Sequence, residues 1–330
     1  MNSISLINNE ATLTIPLTIT IKVGVPSQSE GLGENVQDTS AFEVTRPVKY
    51  YDGYTGYSPN FLDFEVPLPT LNDEQQRNAA KNSFATEDQD SSVLPYTNFS
   101  VVMNRRRQLA YYTAVNIDGA QSIRPTRGGD KWYLDARIAE SEQIGEELYK
   151  RNALDRGHLV RRLDPVWGVN AARANDDTFH FTNCSPQHER FNQNNETWLG
   201  IENFILNFAD QKNRKLSVFT GPVLNSDDPL YKGVRLPLAF WKIVVFTRKT
   251  GEPGTAAFVL DQSKLIETLP GLEAKFEPGA YRLTLDELFE LTDLDFSYLK
   301  PHESPLTNNQ LETVNESRIP LKEDYSNLVL

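Results

Sequence analysis

The longest regular pattern in the chain is an alternation of apolar and polar residues near its start. Over residues 11–25 nearly every second position is apolar, and threonines occupy most of the positions between. Because successive side chains of a β-strand point to opposite faces, this pattern predicts a half-buried strand. Such a strand needs a partner, which is the same chain, a second copy or a different molecule. With the polar linker that follows, it defines an N-terminal segment, residues 1–45.

The next segment, residues 46–93, has no long periodicity. Residues 46–70 are rich in Tyr, Pro, Asp and Gly, a composition that predicts an irregular segment wrapped around the main body. Residues 73–84 predict a short helix. At the other end of the chain, residues 301–330 are polar and predict a loose tail.

Residues 94–300 carry the patterns expected of a globular body. Short apolar runs around turns predict β-hairpins at 99–117 and 240–260, and further strands are expected at 132–138 and 216–224. Apolar residues spaced three and four apart predict a helix over 192–211, and residues 284–294 predict another that Thr284 caps. Because strands and helices do not alternate regularly, we expect the α+β class, with a mostly antiparallel central sheet flanked by helices.

Composition and cysteine content narrow the class of protein. The 330 residues are 39% hydrophobic and 24% charged, as in an ordinary globular protein. No apolar run is long enough to predict a transmembrane helix, and the first residues do not resemble a secretory signal. The single cysteine, Cys184, has no partner for an intramolecular disulfide. We therefore expect a cytoplasmic protein without membrane association.

The net charge of −12 counts against binding nucleic acid through a broad basic face. It is compatible with a local basic cleft that contacts a short stretch of phosphate backbone. Basic residues cluster at three places, namely 105–107, Arg156 with 161–162, and 212–215. Solvated surface is the alternative interpretation of each cluster.

Residues that could act in catalysis or bind a metal are concentrated in one part of the chain. Three of the four histidines lie between residues 158 and 188, together with the segments DRGH (155–158), NDDTFHFTNCSPQ (175–187) and FNQNNETWLGIE (191–202). Phosphodiester hydrolysis needs a base near neutral pH, for which histidine is suited, and a cation against the developing negative charge. Mg²⁺ keeps most of its waters and needs few protein oxygens. DRGH followed by an asparagine on the next helix therefore fits a one-metal nuclease.

In this order and at this spacing, DRGH, TNCSPQ, FNQ and the following Trp and Glu resemble the DNA/RNA non-specific endonuclease family of the ββα-metal superfamily. The resemblance extends over about residues 94–300. It implies a ββα-metal nuclease fold, hydrolysis of DNA and RNA without sequence specificity, and Mg²⁺ as cofactor with Mn²⁺ as a substitute. Contacts to phosphate carry no sequence information, which agrees with such non-specificity.

The resemblance also implies roles for the residues of the first two motifs. His158 would be the general base that activates water, and Arg156 would contact the scissile phosphate or stabilise its developing charge. Asp155 and Asn183 would orient the site. The alternative for Asn183 is a purely structural role, and Pro186-Gln187 could likewise fix a turn.

For the metal, the resemblance implies Asn192 as the direct ligand and Glu202 as the residue that holds a metal-bound water. On one continuous helix these residues would lie about 80° apart, so both could face one site through a water. Direct ligation by both is not expected. If the helix begins only at Glu196, then Asn195 or Glu196 competes for the metal.

Several residues of the region have simpler interpretations. We expect a buried structural role for His180, a surface or helix-capping role for His188, and no role for His302. Trp198 and Cys184 are expected in the core. The alternative functions are an effector or toxin nuclease gated by a partner or a signal, a catalytically inactive nucleic-acid-binding relative, and a zinc hydrolase that uses His158, His180 and His188.

Overall fold

The computed structural model describes residues 3–7, 10–14, 44–126, 129–193, 198–266, 280–305 and 319–320. The chain divides into two compact units, Met1–Phe42 and Glu43–Leu330. No helix among the described residues is both long and apolar enough to cross a membrane.

The described part of the first unit is a β-hairpin. Strand β1 (Ser3–Ile7) pairs antiparallel with β2 (Glu10–Thr14), with Ser3 opposite Thr14. The strand predicted over residues 11–25 is therefore confirmed for 11–14, where its partner belongs to the same chain. The rest of that predicted strand lies outside the described residues.

The second unit is built on an antiparallel sheet that has eight strands within the described residues. Along the chain its strands are β4 (Val93–Pro95), β5 (Phe99–Asn104), β6 (Leu109–Asp118), β10 (Lys215–Pro222), β13 (Ala239–Thr247), β14 (Pro253–Asp261), β15 (Ala280–Leu283) and β16 (Ile319–Pro320). Their order in the sheet is β16-β15-β14-β13-β10-β6-β5-β4. Strand β16 lies in the segment predicted as a loose tail, and the rest of that tail beyond residue 305 lies outside the described residues.

Both faces of this sheet are covered, which explains why the central strands are apolar at almost every position. Helix α4 (Trp198–Lys212) packs through Trp198 and Ile201 on the face that carries Val218. Helix α6 (Leu285–Thr292) and the irregular segment that contains Leu62 and Val66 pack on the face that carries Phe219. The alternation of the strand thus sends neighbouring apolar side chains into two different cores.

The remaining elements are short. Three two-stranded pairings are β3 (Val44–Thr45) with β7 (Tyr133–Leu134), β8 (Leu154–His158) with β9 (Cys184–His188), and β11 (Leu230–Tyr231) with β12 (Val234–Arg235). The remaining α-helices are α1 (Asp73–Asn78), α2 (Ala171–Asp177), α3 (Glu189–Asn192) and α5 (Ser263–Ile266). Short 3₁₀ turns occur at Val48–Tyr51, Glu140–Glu142, Glu146–Tyr149, Phe181–Asn183 and Ser297–His302.

The structure confirms both predicted hairpins and the predicted α+β class. Thr284 caps α6 through a capping box with Glu287, as expected. Helix α1 is shorter than predicted, because Ala79 leaves the helix and bridges Asn104 at the end of β5.

The single helix predicted over residues 192–211 is wrong. Asn192 is the last residue of the short helix α3, which Gln193 caps, and α4 is described from Trp198. The angle expected between Asn192 and Glu202 on one continuous helix therefore does not apply. Asn195 and Glu196, the competing candidates, lie outside the described residues.

Candidate active site

A β-hairpin followed by a helix carries the three sequence motifs. Strand β8 has the sequence LDRGH and pairs antiparallel with β9, CSPQH, so that Asp155 lies opposite Gln187 and His158 opposite Cys184. The alternative that Pro186-Gln187 fixes a turn is excluded, because both residues belong to β9. His188 ends the strand and begins α3, where its Nδ1 accepts a hydrogen bond from the backbone N–H of Arg190 at 3.2 Å. In space the order is strand, strand, helix, while along the chain α2 lies in the connection between β8 and β9.

Asp155 joins this hairpin to α3. Its Oδ2 accepts hydrogen bonds from Asn192 Nδ2 at 2.9 Å and from Gln193 Nε2 at 2.7 Å. These bonds use the nitrogen of the Asn192 amide, so its oxygen is the atom that remains for a cation. An amide oxygen supported by a carboxylate matches the hard oxygen donors that Mg²⁺ prefers. The donor chemistry of Asp155 and Asn192 therefore fits the metal that the sequence suggested.

His158 and Arg156 lie on the same face of β8, because side chains two positions apart point to the same side of a strand. The imidazole of His158 packs between the rings of Trp132 and Phe179, with centroid distances of 4.9 and 5.2 Å. The Phe179 ring meets it edge-on, at an interplanar angle of 83°. Packing by these two rings orients the imidazole, and His158 remains partly exposed although its Nε2 is buried.

The guanidinium of Arg156 lies beside the same tryptophan, 6.0 Å from the centre of the Trp132 ring. It forms a two-point ion pair with Glu146, in which Arg156 Nε donates to Oε2 at 3.0 Å and Nη2 donates to Oε1. The side chains of both residues are about one-third exposed (30% and 32%), so solvent and ligands can reach the pair. A phosphate that contacted Arg156 would meet a guanidinium that Glu146 already orients.

Asn183 is fully buried and holds the backbone that follows His158. Its Oδ1 accepts from the backbone N–H of Val160 at 2.9 Å, and its Nδ2 donates to the carbonyls of Val160 and Thr178, each at 3.0 Å. The backbone carbonyl of Asn183 also accepts from the N–H of Leu159 at 2.9 Å. The hydrogen bonds of Asn183 therefore fix the backbone of the two residues that follow β8.

Glu202 lies in a separate cluster of buried charges between α4 and the sheet. Its carboxylate is 3.9 Å from Lys242 Nζ and 3.9 Å from Arg161 Nε, and only 7% of its side chain is exposed. Burial raises the pKa of Glu202 to about 7, although Lys242 and Arg161 oppose this shift. Burial likewise raises the pKa of nearby Asp164 to about 6. The contacts of Glu202 thus differ from those of Asn192, which faces Asp155.

The other histidines do not form a zinc site. His180 is fully buried, its Nε2 lies 3.0 Å from Tyr51 Oη, and its Nδ1 lies 2.8 Å from the carbonyl oxygen of Asp177. With both ring nitrogens engaged in hydrogen bonds, His180 has a structural role, as expected. His188 caps α3, which confirms the helix-capping role, and its burial excludes the alternative of a surface role. No group of three or more His, Cys, Asp or Glu within the described ranges is arranged to hold a metal.

Sequence reasoning missed several residues that the structure places at the site. Gln193 reaches Asp155, and it could have been found as the last residue of the FNQ motif. Glu146 and Trp132 carry no signal of their own, because their contacts join the hairpin to loops distant in sequence. Trp198 and Cys184 are buried, which confirms the core positions expected for both.

Comparisons with known proteins agree with this arrangement. Residues 75–302 match the DNA/RNA non-specific endonuclease family. The uncharacterized protein y4fB of Sinorhizobium fredii is 41% identical over 298 residues, which cover 84% of this chain and 44% of that protein. A protein of Nostoc sp. named nuclease is 28% identical over 47% of this chain and 54% of its own. Mitochondrial endonuclease G of Homo sapiens is 25% identical over 46% of this chain and 55% of its own.

The chain spans about half the length of the curated relatives it matches, with shares of 44%, 54% and 55%. The family match itself covers more than two thirds of this chain and includes the β8–β9 hairpin with α3. The motifs that suggested the family lie on adjacent strands and the helix after them. The chain therefore belongs to the DNA/RNA non-specific endonuclease family.

Proposed function

We propose that the protein is a metal-dependent endonuclease that hydrolyses phosphodiester bonds of DNA and RNA without sequence specificity. The observation that carries the proposal is the hairpin with its helix. One oxygen of Asp155 binds the amide of Asn192 at 2.9 Å, and His158 ends the same strand between two aromatic rings. Family membership supports the nuclease chemistry.

In this mechanism His158 is the general base. It accepts a proton from a water whose oxygen attacks the phosphorus, and the bond from phosphorus to the 3′ oxygen breaks. The leaving 3′ oxygen takes a proton from solvent, so the products are a 5′-phosphate and a 3′-hydroxyl. Arg156, oriented by Glu146, stabilises the negative charge that develops on the phosphoryl oxygens.

Asn192 would hold Mg²⁺ through its side-chain oxygen, because the nitrogen of its amide donates to Asp155 Oδ2 at 2.9 Å. Mg²⁺ at this position would act as a Lewis acid against the charge on the leaving oxygen, and Mn²⁺, which also binds oxygen ligands, would substitute for it. A role for Glu202 through a metal-bound water stays a prediction, since the contacts of its carboxylate are with Arg161 and Lys242. Asn183 supports the site by fixing the backbone after His158.

The test is digestion of supercoiled plasmid and of single-stranded RNA, with Mg²⁺ and with EDTA. We expect His158→Ala to lower the rate by a factor on the order of 10² to 10⁴, and Asn192→Ala to raise the Mg²⁺ concentration needed for half-maximal activity. His302→Ala and Asn170→Ala are matched controls: neither residue lies in the proposed site, and Asn170 makes no side-chain capping bond. Full activity of His158→Ala, or activity of the wild type in EDTA, would exclude the mechanism.

Two expectations about the cellular context stay predictions. A cytoplasmic location is one, and a role of the N-terminal strand in binding a partner or a second copy is the other. Deletion of residues 1–42 tests the second, since it removes the first unit and leaves β3 paired with β7. If the shortened chain has the oligomeric state and the nuclease activity of the full chain, gating through this segment is excluded.

A further inference from the structure

A cavity of about 340 Å³ opens on the second unit beside the candidate active site. This volume lies at the small end of the range of roughly 300–1,000 Å³ that is typical of ligand pockets. Its wall includes Arg46, Lys131, Tyr133, Arg162, Asp176 and Phe179. None of the roles assigned above to the site residues uses this cavity.

Arg46 is held at the cavity wall by strand pairing and by aromatic rings. It directly follows β3, whose Val44 lies opposite Tyr133 of β7. The guanidinium carbon of Arg46 lies 3.8 Å from the centre of the Tyr133 ring and 4.5 Å from that of Tyr50. Among the described residues its buried Nε has no hydrogen-bond partner. An arginine fixed between two rings keeps its planar N–H groups available for a phosphate, which it can bind at two points.

The cavity is more basic than the chain as a whole. Its wall carries three cations, Arg46, Lys131 and Arg162, against two carboxylates, Asp130 and Asp176. The whole chain has a formal charge of −12. Arg162 is also oriented, because its Nη1 donates to Asn175 Oδ1 at 2.9 Å. A local excess of oriented cations on an acidic protein favours binding of an anion at this place.

The cavity is continuous with the surroundings of the proposed general base. Phe179 lines it, and the ring of the same residue lies 5.2 Å from the imidazole of His158. The backbone N–H of Tyr133 donates to the carbonyl of Phe179 at 3.0 Å, so the two aromatic residues of the wall are tied together. Phosphates recur at each nucleotide of a strand, so a strand cut beside His158 would bring a phosphate to the cavity within about one or two nucleotides.

We infer that this cavity binds a phosphate of the substrate strand next to the scissile bond, through Arg46, Lys131 and Arg162. The inference rests on the proposed function for the identity of the strand. The aromatic side chains of the wall, Tyr133 and Phe179, can pack against the sugar and base of the nucleotide that carries the phosphate. The cavity therefore extends the site to a neighbouring nucleotide without reading its sequence.

Binding is measured without cleavage, as the fluorescence anisotropy of a labelled single-stranded oligonucleotide in EDTA. The variants are Lys131→Gln, Arg162→Gln, Arg46→Gln and the combination of all three, and Lys249→Gln is the control for loss of an exposed cation. Each substitution should weaken binding by roughly threefold to tenfold at low salt, and the triple variant should lower the slope of log K against log salt by about 0.7, the change expected for one phosphate of a single strand. Asp176→Asn should strengthen binding, because it removes a carboxylate from the wall.

Hydrolysis of bis(p-nitrophenyl) phosphate distinguishes an effect on binding at the cavity from an effect on the hydrolytic step, since that ester has no neighbouring nucleotide. With Mg²⁺ the Lys131→Gln and Arg162→Gln variants should hydrolyse it at the wild-type rate while they cleave oligonucleotides less efficiently. Equal affinity and salt slope in wild type and triple variant, or no binding by the wild type, would overturn the inference. Failure of the wild type to cleave any phosphodiester would instead overturn the proposed function, whatever the binding measurement gives.

Discussion

Asn183 and Val160 exchange a reciprocal pair of hydrogen bonds two residues beyond His158. The N–H of Val160 donates to Asn183 Oδ1 at 2.9 Å, and Asn183 Nδ2 donates back to the Val160 carbonyl at 3.0 Å. Both residues are fully buried, so water cannot replace either bond. The asparagine thereby fixes the chain direction immediately after the proposed base.

The first prediction is that Asn183→Ala destabilises the protein by on the order of 3 kcal/mol, because it leaves buried backbone groups of Val160 and Thr178 without partners. Urea unfolding measures this change. In the folded fraction, the kcat for plasmid cleavage should fall as well, since His158 loses its support. Asn183→Asp keeps the accepting oxygen but loses both donated bonds, and should also be impaired. A destabilised variant with wild-type kcat would show that Asn183 acts on stability alone.

The second prediction concerns Gly157, the glycine of DRGH. A Cβ atom at this position would lie 2.0 Å from Gln187 Oε1 and 2.6 Å from Gln187 Cγ. Gln187 is fully buried and has little room to move away. Gly157→Ala should therefore lower the free energy of unfolding by about 1–3 kcal/mol, the usual effect of overpacking.

Two further variants check that explanation. Adding Gln187→Ala should recover part of the loss, because it removes the atoms that the new methyl group meets. Gly129→Ala is the matched control, since a Cβ there has no heavy atom within 4 Å. Thermal unfolding of five proteins gives the comparison, namely wild type, Gly157→Ala, Gln187→Ala, the double variant and Gly129→Ala. Strict additivity of the two substitutions at 157 and 187 would rule out the clash.

Patterns that act over a few residues were sufficient to predict much of the fold. The hairpins follow from apolar runs around turns, and the Thr284 cap follows from the spacing of Thr284 and Glu287. The order of the motifs also predicted the family, and it predicted that Asp155 and Asn192 belong to one site. These features could be predicted because each depends on residues that are close in sequence or on a complete motif.

Contacts between distant segments could not be predicted in this way. Tyr54 Oη donates to Asp177 Oδ1 at 2.6 Å across 123 positions, so the predicted wrapping segment packs next to the site region. Lys242 lies on β13 and meets Glu202 on α4, which moves Glu202 into a buried charge cluster. The end of α3 at Asn192, which Gln193 caps, was likewise not predicted, because the helix was placed from Asn192 onwards.

The third prediction is that Cys184 does not react with thiol reagents in the folded protein. Burial raises the pKa of its thiol to about 12, and the side chain lies fully buried on β9 with its Sγ 3.4 Å from Tyr149 Oη. Since the thiolate is the reactive form, labelling at pH 8 should be slower than in denaturant by several orders of magnitude. Labelling at the same rate in buffer and in denaturant would contradict the buried position.

The last prediction concerns the pH dependence of stability. Burial raises the pKa of Asp164 from 3.8 to about 6, with Lys242 and Arg161 opposing the shift. A carboxyl whose pKa is higher in the folded state binds its proton more tightly there, so its contribution to stability is fully present below about pH 4. That contribution is lost as the pH rises to about 6 and stays lost above it.

Asp164→Asn removes this titration while keeping the shape of the side chain. The free energy of unfolding of the variant relative to wild type should therefore rise between pH 4 and pH 7, by on the order of 2 kcal/mol. Taking the difference cancels the titrations that both proteins share. Urea unfolding at pH 4, 5, 6 and 7 measures it. A difference that is flat over this range would mean that Asp164 ionises in the folded protein as readily as in the unfolded chain.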